Sequence, residues 1–168
     1  MVFYGNFEHQ IDAKGRLSVP AKFRAIGIDG MITQYVMLRG LGGCLALIRG
    51  EVFKNFQEKY KPDYPTFKAF LDFKRTFLPR AVSISVDPQG RILLPADLRE
   101  EIGINDKALI IGVGEWIEIW SPDRFKKYCD SLKEGYDQMA EGFFSALAGF
   151  QEPTEKKEID DDTSACDG

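Results

Sequence analysis

Aspartate and arginine recur in this 168-residue chain at one fixed spacing: Asp12-Ala-Lys-Gly-Arg16 and Asp87-Pro-Gln-Gly-Arg91. Each copy sets a carboxylate four residues ahead of a guanidinium, with a glycine immediately before the arginine, and the match continues at an offset of 75 residues through Pro20 and Pro95 to Arg24 and Arg99. A guanidinium just past an exposed turn presents a planar fork of donors that suits a guanine edge or a phosphate. The carboxylate can accept the turn's backbone N–H groups, or it can hold the arginine itself. The chemistry on offer is recognition of an acceptor-rich surface, with internal Arg16–Asp12 and Arg91–Asp87 pairing as the alternative.

Bond-making chemistry is poorly supplied. His9 is the single histidine, so any Ser-His-Asp set would have to use it, and no G-x-S-x-G elbow surrounds a serine. Cys44, Cys129 and Cys166 are odd in number and far apart, with no Cys-x-x-Cys, which argues against a zinc site or a disulfide framework. The glycines at 40–43 and 112–114 lack the third glycine of a phosphate-cradling G-x-G-x-x-G, since Leu45 and Ile117 stand in its place. Neither enzymatic activity, metal, cofactor nor small-molecule substrate is expected.

The net charge of −4 hides an asymmetry, because residues 1–80 hold 13 Lys and Arg against 7 Asp and Glu, whereas residues 81–168 hold 9 against 19. A basic half is the electrostatic footprint of a nucleic-acid partner. Hydrophobic content of 44% with 29% charged residues is that of a globular protein, and no apolar run approaches the roughly 20 residues of a membrane span. With no signal peptide written in MVFYGNFEHQ, the reading is cytoplasmic. The last 18 residues carry 7 acids and 2 bases with little apolar content, a composition that predicts disorder.

The elements that must position the two arginines read alike in both copies. Val82, Ile84 and Val86 alternate with serines, the period of a half-buried strand. Asp87-Pro-Gln-Gly90 then supplies a β-turn, with proline's φ preset and Gly90 free to take positive φ, as Asp12 to Gly15 does in the first copy. Pro20 and Pro95 sit where a short helix begins; Leu98 and Ile102 give the second its buried stripe and Gly103 its end, with Phe23 and Gly27 in the same roles in the first. Strands follow at 34–40 and 44–50, and at 107–113 and 116–120, and each copy closes on a helix start in which Phe53 matches Phe125. A linking helix is predicted over Pro65 to Phe77, and a final helix over about Pro122 to Leu147. Its stripe of Phe125, Tyr128, Leu132, Tyr136, Met139, Phe143 and Leu147 suits packing on the chain's own sheet or a subunit contact.

On FYGNFEHQIDAKGRLSVPAKFR, the second DPQGRILLPADLRE and the sheet ending WIEIW, the chain resembles the MraZ family of bacterial regulators built from two SpoVT-AbrB-type domains. The resemblance implies an α+β, mainly β fold of tandem pseudo-symmetric swapped-hairpin (AbrB-like) β-barrel domains with flanking helices. It implies a first repeat at 1–80 that faces DNA and a second at 81–148, with 149–168 left as the acidic tail. It further implies a homo-oligomer closed as a ring, octamer-like, associated with the nucleoid. The target would be double-stranded promoter DNA, in repeated short boxes upstream of a division and cell-wall gene cluster that includes the regulator's own gene. The DNA-contacting Asp-x-x-x-Arg element carries over to Lys14 and Arg16. Asp12, Gly15, Asp87 and Gly90 would brace the turns, and Lys22 and Arg24 would reach phosphates, unless Arg24, which recurs as Arg99, serves the shared fold. Arg91 has Gln89 where the first turn has Lys14, which favours its pairing with Asp87.

Overall fold

The computed structural model describes residues 2–26, 30–59 and 66–149, so Gly27, Pro65 and the acidic tail lie outside the described residues. The first repeat runs through β1 (Phe3–Gln10), β2 (Arg16–Ser18), α1 (Ala21–Arg24), β3 (Ala25–Ile26), β4 (Gly30–Met31), β5 (Gln34–Arg39), β6 (Leu45–Arg49) and α2 (Gly50–Lys59). After α3 (Phe67–Phe77) the second repeat runs through β7 (Val82–Ser85), β8 (Arg91–Leu93), α4 (Ala96–Ile102), β9 (Lys107–Gly114), β10 (Ile117–Trp120) and α5 (Pro122–Leu132). Residues Met1–Cys129 form one compact unit that holds both repeats. Asp130–Gly168 form a second, whose described part contains a 3-10 turn at Lys133–Gly135 and α6 (Tyr136–Gly149).

The expected pair of β-barrels does not form. Six strands build one open antiparallel sheet in the order β1-β9-β10-β6-β5-β7, whose edge strands β1 and β7 do not pair with each other. The reason is an exchange between the repeats. The first strand of each lies on a strand of the other, β1 on β9 from Phe3↔Gly114 to Gln10↔Lys107 and β7 on β5 from Gln34↔Ser85 to Met37↔Val82. The β6–β10 pairing then joins the halves, so strands that would have curled into two small barrels extend a single sheet. The order reads as a palindrome about that junction, which is the mark of two copies related by pseudo-two-fold symmetry.

The turn arms part in the same way. Ile11 bridges Leu17, but β2 takes β8 as its ladder partner, with Arg16↔Leu93, Leu17↔Ile92 and Ser18↔Arg91 in register. Leu17 and Ile92 are wholly buried and share one core with Phe23, Tyr35, Ile102 and Ile110, drawn from both repeats. In β5 and β6 successive residues alternate between two cores: Met37, Leu45 and Leu47 face the shared one, while Leu38 and Ala46 pack with Phe53 of α2 and Phe77 beyond it. Burial on both faces explains why these two strands read as nearly continuous apolar runs.

Three helices differ from the sequence reading. Pro20 and Pro95 cap α1 and α4 from the residue before the first turn. The two helices then diverge in length. Arg99-Glu-Glu-Ile102 continues α4 to Gly103, which takes the left-handed φ of 69° and ends it, whereas Ala25 turns extended at ψ 136° and α1 stops after four residues. Strong helix formers sustain the one, and Ala25-Ile26 enters the small β3–β4 pair instead. The long final helix is broken at Lys133–Gly135, the glycine weakening it where the stripe passes from Leu132 to Tyr136.

Because each half completes the other's sheet, Leu17→Ala and Ile92→Ala should each cost about 2–5 kcal/mol. Denaturant unfolding of residues 1–129 within the full chain should remain a single transition in both variants. Two resolved transitions in that unit would show that the repeats hold independently.

Candidate nucleic-acid interface

The two turns have the same internal bonding. Asp12 O accepts from Gly15 N at 2.8 Å, and Asp87 O accepts from Gly90 N at 2.8 Å. The Oδ1 of Asp12 accepts the backbone N–H of Lys14 and of Arg16, both at 2.9 Å, and the Oδ1 of Asp87 accepts those of Gln89 and Arg91 at the same distance. Oδ2 then takes the arginine Nε at 2.7 Å in the first turn and 2.8 Å in the second. Aspartate is suited to this work because its short side chain reaches back over its own turn. Gly15 and Gly90 stand at φ 79° and 80°, a conformation that a side chain would strain.

Cross-repeat pairing brings the turns side by side. Val19 donates to Gly90 O at 2.9 Å, and Leu94 donates to Gly15 O at 3.0 Å. Arg91 Nη1 lies 3.9 Å from Asp12 Oδ2, so the second arginine reaches the first carboxylate. Arg24 packs over the opposite turn, close enough that a Cβ on Gly90 would sit 2.5 Å from its Cζ, and its Nε donates to Val19 O at 3.0 Å. Arg99 takes the equivalent place over Gly15, at 3.4 Å. Each copy therefore braces its partner's turn with the arginine that the repeat shares, a role for Arg99 that only the recurrence of the residue at that offset could have hinted at.

The arginines differ in what remains available. Arg91 Nη2 is held by Asp87 Oδ2 at 2.7 Å and by Gln89 Oε1 at 3.0 Å. Arg16 is tied through Nε alone, and its two terminal nitrogens have no hydrogen-bond or ion-pair partner among the described residues. Lys14 is exposed at the first turn's tip, where the second has Gln89. Lys22 is brought not to the turn ladder but to aromatic rings, its Nζ 4.7 Å from the centroids of both Tyr4 and Phe7.

Charge assistance fixes both carboxylates in the ionised state. The backbone N–H of Arg16, with its side chain and that of Lys14's peptide, holds Asp12 below the usual carboxylate range, and the Arg91 side chain does the same for Asp87. Elsewhere, burial pushes the Cys44 thiol up to about 12, so it stays protonated at neutral pH and carries no nucleophile. No helix among the described residues is long and apolar enough to cross a membrane.

Two interleaved repeats presenting a doubled, Asp-braced arginine turn define a duplicated swapped-strand module. The family model described as "MraZ protein, putative antitoxin-like" matches residues 2–69 and 77–145, one stretch in each repeat. The chain is similar to "Transcriptional regulator MraZ" of Thermoanaerobacter sp. (strain X514), 39% identical over 137 residues that cover 82% of this chain and 93% of that one. It is 40% identical to the protein of that name from Thermoanaerobacter pseudethanolicus over the same shares, and 31% identical to that of Mycoplasmoides gallisepticum over 83% of this chain and 96% of that one. The chain belongs to the MraZ family of transcriptional regulators.

The lowered carboxyls set an acid limit on the turns. Their folded values lie below the unfolded value of about 3.9, so their contribution to stability is fully present above it and is lost as pH falls through the lowered values. Carboxyl-carbon NMR should find Asp12 and Asp87 titrating below the ordinary aspartate value. A midpoint at or above the ordinary value would contradict the bracing role.

Proposed function

We propose that the chain is a sequence-specific DNA-binding regulator that reads short repeated promoter boxes through the Asp12–Arg16 turn. The observation that carries this reading is the pair of Asp-braced turns joined side by side, of which the first leaves a guanidinium fork unspent. In the proposal Arg16 takes the base edge, Lys14 a phosphate beside it and Lys22 a second phosphate from its aromatic seat. Arg91, bound on both Asp87 and Gln89, holds the neighbouring turn in place, and Arg24 acts on Gly90 as a brace. The basic first half of an otherwise acidic chain supports the same assignment. The resemblance supports the finer points: boxes upstream of the division and cell-wall cluster containing its own gene, a nucleoid-associated cytoplasmic location and a closed homo-oligomeric ring.

A gel shift against the region upstream of its own gene tests the reading. Arg16→Ala should abolish specific binding, at a cost of roughly 1–3 kcal/mol per base contact multiplied over the copies engaged. Arg91→Ala should either keep binding or lose the fold, which circular dichroism separates. Equal loss of binding in two well-folded variants would overturn the division of roles, and affinity insensitive to salt would overturn the phosphate contacts, since log K should fall with log salt by about 0.9 per phosphate neutralised.

A ring that displays many first turns should also favour boxes on one DNA face, spaced by about 10–10.5 bp. Affinity should rise roughly 10²–10⁴-fold from one box to several and collapse when half a helical turn is inserted. Indifference to box number and phase would end the multivalent reading.

A further inference from the structure

The β2–β8 ladder has an inner and an outer face. Leu17 and Ile92, opposite each other, are wholly buried, so alternation along these two short strands turns Arg16, Ser18, Arg91 and Leu93 outward together. Register sets Arg16 across from Leu93 and Ser18 across from Arg91. Leu93 is the one apolar side chain on that outer face, and it is 55% exposed with Arg16 already beside it. The chain's own packing therefore leaves Leu93 open.

The repeat sharpens the contrast. An offset of 75 matches Leu93 to Ser18, so the two copies set different residues next to the arginines. Arg16, whose terminal nitrogens have no partner among the described residues, has the leucine as its cross-strand neighbour. Arg91, held by Asp87 and Gln89, has the serine. An apolar group and a free donor fork thus sit side by side on the outer face of a two-stranded ribbon, a shape that the major groove admits. In that groove guanine offers the acceptors O6 and N7, and the apolar group on a base edge is the C5-methyl of thymine. Opposite residues of an antiparallel pair carry their Cβ atoms about 4.5–5.5 Å apart. Successive bases stand about 3.4 Å apart, so the pair reaches neighbouring base steps.

We propose that Leu93 is a specificity-determining residue that packs on the C5-methyl of a thymine adjacent to the base taken by Arg16. The inference rests on the DNA-binding reading of the Asp12–Arg16 turn and adds a second base group to it. The reading head is then composite: β2 of the first repeat supplies the donor, and β8 of the second supplies the apolar contact.

The probe is a duplex from the region upstream of the chain's own gene, in which each thymine in turn is replaced by deoxyuridine. That change removes the methyl and leaves base pairing intact. Full-length wild-type protein should lose about fourfold in affinity per box at one thymine, the worth of one methyl group withdrawn from water, with its salt slope unchanged. Leu93→Ala, and Leu93→Ser, which copies the first repeat, should bind the thymine and deoxyuridine duplexes alike, with circular dichroism and light-scattering mass unchanged. Wild-type binding indifferent to every thymine methyl, or a methyl preference that survives in both variants, overturns the assignment. Loss of assembled mass in the folded variants also overturns it, by placing Leu93 in a subunit contact. Binding that needs Arg16 yet ignores the methyls removes the role of Leu93 alone, whereas a wild-type chain that does not bind the duplex takes the regulator reading down with it.

Discussion

The pairing of β2 with β8 is the constraint from which the other features follow. Each strand is three residues long and its turn arm cannot close a full hairpin, so its backbone groups are satisfied on the equivalent strand of the other repeat. That ladder buries Leu17 and Ile92 against each other's neighbours, sets the two turns side by side, and puts Arg24 and Arg99 over the opposite glycines. Exchange of β1 and β7 extends the same relation into the large sheet. A single repeat would have neither a partner for its short strand nor a cover for its turn.

Within this near-symmetric frame, one side chain makes the difference between the two arginines. The bonds from each aspartate to its turn agree to within 0.1 Å. Gln89 adds an acceptor that captures a terminal nitrogen of Arg91, while Lys14 at the matching place can only donate. Duplication kept the brace in both copies, and divergence at the turn's tip decided which fork stays open. The carboxylates remain the fixed points in each case, because three charge-assisted or backbone hydrogen bonds favour their ionised forms.

The local grammar of the fold was legible, and its connectivity was not. The Asp-x-x-Gly-Arg turns, the strands at 82–85 and 107–114, and the capped helix ending at Gly103 follow from period and turn chemistry. The barrels failed because period-2 alternation says that Ile84 points inward without saying whose strand lies alongside; β7 chose β5, forty-odd residues back. Likewise the apolar spacing from Phe125 to Leu147 continues across Gly135, so the stripe predicted one helix where the backbone makes two. At the candidate site, the aspartates, glycines and arginines were found from repetition alone. Arg99's place over Gly15 was hinted at only by its recurrence at the repeat offset, and Lys22's seat on Tyr4 and Phe7 depends on contacts between distant segments that no spacing encodes.

The palindromic sheet has the form of an intertwined homodimer, but its two halves are tethered through α3. Separate polypeptides sharing such an interface would fall apart on dilution, and their folding would vary with the amount present. Here the link replaces that bimolecular equilibrium with an internal one of fixed effective concentration. The doubled turn is therefore as intact in a cell holding a handful of copies as in one holding thousands.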